Sequence, residues 1–97
     1  MSRVRLSSAA AADLRSIAVY TASTWGRQQA RDYQEALRKR LRMLAGSPGM
    51  GHERPAVVDG LLSFPAESHV VYYTETGDGI LVVRILHKRQ DPFLHVK

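Results

Sequence analysis

The sequence predicts an α+β domain in the order β-α-α-β-β-β. It reads as an N-terminal strand, an antiparallel helical hairpin, then a three-strand antiparallel meander, all forming one small sheet. Three observations carry this reading. Apolar residues recur at helical spacing through residues 9–44, a Gly/Pro-rich break follows at 46–55, and apolar runs parted by short turn sequences fill residues 61–87.

Val4 to Leu6 form a short strand, and Ser7 or Ser8 caps the helix that follows. Ala9 to Ala12 are strong helix formers, and Leu14, Ile17, Ala18 and Thr21 continue one face, so the first helix runs from about Ala9 to Ser23. Ser23 or Thr24 is the expected cap of the second helix, with Trp25 plugging the joint beside Gly26. Ala30, Tyr33, Leu37, Leu41 and Leu44 then recur at spacings of three and four, the clearest periodic signal in the chain. Gly46 and Pro48 stop that helix, and so short a joint makes the two helices antiparallel neighbours. The strands are expected at Leu61–Phe64, His69–Thr74 and Ile80–His87, joined by Pro65-Ala66-Glu67-Ser68 and Glu75-Thr76-Gly77-Asp78-Gly79. The run 80–86 is apolar on both faces except at Arg84, which marks a central strand.

Composition narrows the function classes. A length of 97 residues suits one domain spanning 1–97. With no cysteine, disulfides, thiol nucleophiles and Cys-ligated metals are excluded. No apolar run is long enough to cross a bilayer, and Asp13 and Arg15 interrupt any signal-peptide core, so a cytoplasmic protein is expected. The net charge of +5 is built in two places. Residues 27–42 hold Arg27, Arg31, Arg38, Lys39, Arg40 and Arg42 against Asp32 and Glu35, and Arg84, His87, Lys88 and Arg89 form a second cluster. Such a field suits nucleic acid, an anionic surface or an acidic protein segment.

Few residues have the spacing of a known chemistry. His52, His69, His87 and His95 show no metal-ligand spacing, no serine sits in a nucleophile elbow, and Gly49 and Gly51 form no P-loop. Arg84 is placed on one face with Ile80, Val82 and Leu86. It is either paired with Glu67, Glu75 or Asp91, or it projects from an open sheet face toward a phosphate or a partner carboxylate. His87, followed by Lys88, Arg89 and Asp91, is either a general acid or base at a phosphodiester or a strand-end histidine bonded to a backbone carbonyl. His69 is expected to stabilise a turn. Tyr72 and Tyr73 lie on opposite faces, so at most one is expected in the core.

Two stretches carry a family resemblance. The first is Trp25-Gly26-x-Gln28-x-Ala30-x-x-Tyr33, followed by Leu37, Leu41 and Leu44 and then Pro48-x-x-Gly51. The second comprises Gly60-Leu61, Ser68-His69-Val70-Val71-Tyr72-Tyr73, Asp78-Gly79-Ile80 and Val83-Arg84-Ile85-Leu86-His87-x-Arg89-x-Asp91. In that order, from about Leu6 to Asp91, the chain resembles the ParE branch of the RelE/ParE toxin superfamily.

The resemblance implies a bacterial type II toxin that inhibits DNA gyrase by binding it and needs no cofactor or metal. It implies a hetero-oligomer with a ParD-like antitoxin, whose acidic and apolar C-terminal segment wraps the toxin. Any DNA binding is then indirect, through the antitoxin. Carried onto this chain, the antitoxin contacts are Leu14, Ile17, Tyr33, Leu37, Leu41, Arg84 and Arg89, and the target contacts are His87, Arg89 and Asp91. The RelE branch instead cleaves messenger RNA on the ribosome. Arg84, His87 and Arg89 are the candidate catalytic residues for that activity, though no tyrosine follows His87. A non-toxic antitoxin-binding module is the third reading.

Overall fold

The computed structural model describes residues 2–96. Strand β1 (Arg3–Leu6) leads into helix α1 (Ser8–Trp25) and helix α2 (Arg27–Gly46). A 3-10 turn (Pro48–Met50) and the two-residue strand β2 (His52–Glu53) follow, then β3 (Leu62–Ala66), β4 (His69–Thr76), β5 (Gly79–His87) and the short helix α3 (Pro92–His95). The five strands form one sheet in the order β1-β5-β4-β3-β2. Strands β2 to β5 pair antiparallel, whereas β1 lies parallel to β5. The sheet is therefore mixed, because the hairpin of helices returns the chain to the far side of β5.

Ser7 caps α1, its hydroxyl accepting from the Ala10 amide at 3.0 Å. The joint departs from expectation. Helix α1 continues through Trp25, and Gly26, at φ +96°, turns the chain with no side-chain cap on α2. Neither Ser23 nor Thr24 caps that helix, and Trp25 is 65% exposed, so it plugs nothing. A glycine supplies the left-handed conformation that a capping serine cannot reach without strain.

The core forms where the hairpin meets the sheet. Leu14, Ile17, Leu37, Leu41 and Leu44 pack on Val71, Tyr73, Ile80, Val82 and Ile85. A second cluster (Val57, Leu61, Tyr72 and Leu86, with Val70, Val83 and Val96 against it) covers part of the opposite face. Both Tyr72 and Tyr73 are consequently buried, one on each face, because the segment 54–61 and Val96 close over the side expected to be open.

A bulge in β5 sets the rest. Tyr72 pairs with Arg84 and Tyr73 with Val82, leaving Val83 as the extra residue. Phase therefore switches within the strand. Ile80, Val82 and Ile85 face the helices, while Val83 and Leu86 face away. Arg84 lies opposite Tyr72, on a face with Leu86 but not with Ile80 and Val82.

Candidate functional site

Strand β1 ends opposite Val82, so beyond that point β5 has no strand on its β1 side. The Ser7 cap and helix α1 supply the missing partners. The Ser7 amide donates to the Val82 carbonyl at 2.9 Å, and its hydroxyl donates to the Val83 carbonyl at 2.7 Å. Asp13 Oδ2 accepts from the Ile85 amide at 2.9 Å. The same carboxylate takes two donors from Arg84, Nε at 2.8 Å and Nη2 at 2.9 Å, and the two side chains are only 23% and 14% exposed. The remaining Nη1 of Arg84 donates to the His95 carbonyl at 2.8 Å. The hydrogen bonds to Asp13 raise the pKa of Arg84 further above its already high value.

The partner of Arg84 is thus Asp13, in place of Glu67, Glu75 or Asp91, and the guanidinium is not presented to a phosphate. The physical reason is the uncapped stretch of β5. A single carboxylate on α1 meets both an unpaired strand amide and the arginine that emerges at the bulge. Sequence reasoning missed Asp13. Its one signal was its place as the sole acid in α1, 71 residues from its partner.

A second constellation joins helix to sheet. The Tyr33 hydroxyl lies 2.7 Å from His69 Nδ1 and accepts from the Ser68 amide at 2.9 Å, tying α2 to the β3–β4 turn as expected of His69. His69 and His87 are direct cross-strand partners with ring centroids 5.5 Å apart. Burial lowers the pKa of His69, and the facing His87 lowers it further, with Asp13 opposing. His87 Nδ1 accepts from the Arg89 amide at 3.2 Å, so this strand-end histidine is bonded to a backbone N–H where a carbonyl was expected. Arg89 and Asp91 are exposed, and Asp91 caps α3 by accepting from the Phe93 amide at 2.9 Å. Among the described residues, no cluster of three or more metal-ligating side chains occurs.

The residues assigned to antitoxin contact sit differently from expectation. Leu14, Ile17, Leu37 and Leu41 are buried under the hairpin, because its apolar stripe is the face the sheet claims. Tyr33 is half-buried with its hydroxyl engaged, and Arg84 is locked to Asp13. The surface beside them is more telling. Strand β1 is an edge of the sheet. Two shallow grooves of about 190 and 220 Å³ lie next to it, lined by Val4, Leu6, Leu14 and Leu41 and rimmed by Arg15, Arg38 and Arg42. An unpaired strand edge, small apolar recesses and three guanidinium groups make a surface for an extended acidic chain.

The molecule is thus a small α+β domain, a helical hairpin on a mixed five-stranded sheet with Arg15, Arg38 and Arg42 beside its open β1 edge. The model of the ParE toxin of type II toxin–antitoxin systems, parDE, matches residues 4–92, and the chain belongs to that family. It is 35% identical over 96 residues to Toxin ParE1 of Caulobacter vibrioides, covering 99% of both chains. It is 37% identical to Toxin ParE1 of Mycobacterium tuberculosis, covering 93% of both. Toxin ParE of Escherichia coli is 36% identical over 87 residues, 89% of this chain and 84% of that one. A solved chain described as the chromosomal ParDE TA system from P. aeruginosa superposes with a TM-score of 0.76 at 22% identity, covering 90% of this chain and 96% of that one, and so shares its fold.

Proposed function

We propose that this ParE-family toxin arrests growth by binding DNA gyrase stoichiometrically in the cytoplasm, and that a ParD-like antitoxin neutralises it. The observation that favours binding over turnover is Arg84. The guanidinium best placed by sequence to hold a scissile phosphate is committed to Asp13 and the His95 carbonyl. An acidic and apolar antitoxin segment lies along the β1 edge, extending the sheet. It places apolar side chains over Leu6, Leu14 and Leu41 and carboxylates against Arg15, Arg38 and Arg42. The target meets the molecule at the C-terminal end of β5 and just beyond it, at His87, Arg89 and Asp91.

The test adds purified chain to a gyrase supercoiling reaction. Inhibition at toxin amounts comparable to gyrase, reversed by the antitoxin, is expected. Folded protein that leaves supercoiling untouched sinks the reading. Cleavage of ribosome-bound message that disappears in His87→Gln replaces it with a ribonuclease. Within the antitoxin part, Arg38→Glu slows association and flattens its salt dependence, because a rim charge steers encounter.

A further inference from the structure

Helix α3 is four residues long, too short to hold its own place. It starts at Pro92 under the Asp91 cap, and the Val96 amide closes its turn on the Pro92 carbonyl at 2.8 Å. It nevertheless carries Phe93 and Leu94 outward, 48% and 77% exposed, a short distance along the chain from Lys88 and Arg89. An apolar knob beside cations fits an apolar recess with an anionic border on a partner. The segment leaves β5 through Gln90, which exchanges two hydrogen bonds with the His87 backbone, and two further tethers fix the knob to the body. Val96 packs on the Val57–Leu61–Tyr72–Leu86 cluster, and the His95 carbonyl takes the Nη1 donor of Arg84.

The second tether is only as firm as the arginine. A guanidinium is a planar fork, so fixing Nε and Nη2 on one carboxylate also fixes the direction of Nη1. Asp13 does this, and it is itself held by the Ile85 amide. We infer that Asp13 is a positioning residue for inhibition, orienting residues 90–96 and their Phe93–Leu94 knob through Arg84. The inference rests on the reading that this chain acts by binding its target. Asp13 itself touches no target. It acts through the arginine.

The experiment compares the full chain with Asp13→Asn and Arg84→Lys. Lysine keeps a positive charge near Asp13 but cannot engage the carboxylate twice and the carbonyl once, and it leaves the Asp13–Ile85 bond in place. Amide exchange across 90–96 and trypsin cleavage after Lys88 and Arg89 report the tether. Growth arrest on expression without antitoxin and gyrase inhibition report function. Antitoxin affinity reports the intact body.

Both variants are expected to raise exchange and cleavage, and to raise the concentration needed for inhibition, by about tenfold, with antitoxin affinity within about twofold of the parent. A purely structural role would weaken antitoxin binding and inhibition together, and that result overturns the inference. So does a segment that loosens while inhibition is unchanged. An effect of Asp13→Asn without one of Arg84→Lys overturns it too, assigning Asp13 to the β5 edge alone. If the parent arrests growth without affecting gyrase, the target reading fails, and the inference is decided by growth arrest in the same variants.

Discussion

Gly79 is where β1 and β5 begin to pair, directly opposite Arg3. A methyl group added there would run into the Arg3 backbone, its carbonyl oxygen and its amide nitrogen, and not into a flexible side chain. Backbone cannot step aside without moving the strand, so Gly79→Ala should pry β1 from the sheet. Overpacking of this kind costs about 1–3 kcal/mol where the strand gives slightly. If β1 detaches, the bonds from Arg3 to the Asp78 carbonyl and from Ser7 to the Val82 carbonyl are lost, along with partial burial of Val4 and Leu6. Those losses bring the expected destabilisation to about 2–5 kcal/mol.

A domain of this size has about 5–15 kcal/mol in total, so urea unfolding will resolve the change easily. Gly26→Ala is the matched comparison. Gly26 also has positive φ, at +96°, but open space around its Cβ, so only the conformational strain of about 1 kcal/mol applies. Equal effects from the two substitutions would refute the steric argument. An effect of Gly79→Ala below about 0.5 kcal/mol would show that β1 contributes little to this fold.

Two further outcomes follow from the Tyr33–His69–His87 contacts. The folded pKa of His69 lies below the 6.5 of a free histidine, chiefly through burial, so the neutral ring is favoured in the folded state. Its contribution to stability is present above that value and is lost as pH falls below it, and the urea midpoint should fall more steeply on acidification in the parent than in His69→Gln. Parallel pH profiles would remove His69 as the source. Tyr33→Phe deletes the hydroxyl that meets His69 and the Ser68 amide, so a loss of about 1–2 kcal/mol by denaturant unfolding is expected. Preserved stability would mean that the turn is held without it.

Much of the architecture was legible. Of the stripe Ala30, Tyr33, Leu37, Leu41 and Leu44, all but the half-buried Tyr33 are buried, and the three meander strands lie within a few residues of their expected bounds. His52–Glu53 and Pro92–His95 were not legible, because a two-residue strand and a four-residue helix carry no period. The candidate site was legible only as residue types. Arg84 stood out as a charge within an apolar strand, yet its face was misplaced because the bulge at Val83 depends on the register of β4. Leu14, Ile17, Leu37 and Leu41 were recognised as apolar, but the sheet covers most of each side chain and only Leu14 and Leu41 line the recesses beside β1.

The sequence by itself determined the two long helices, β1 and the three meander strands, and where positive charge accumulates, since each depends on residues a few positions apart. Tertiary structure alone decided that β1 pairs parallel with β5, that the second sheet face is closed by residues 54–61 and Val96, and that Asp13 meets Arg84 across 71 residues. Those contacts are fixed by packing and by the need to satisfy the bare amides of a strand whose neighbour stops short. No local pattern records that need.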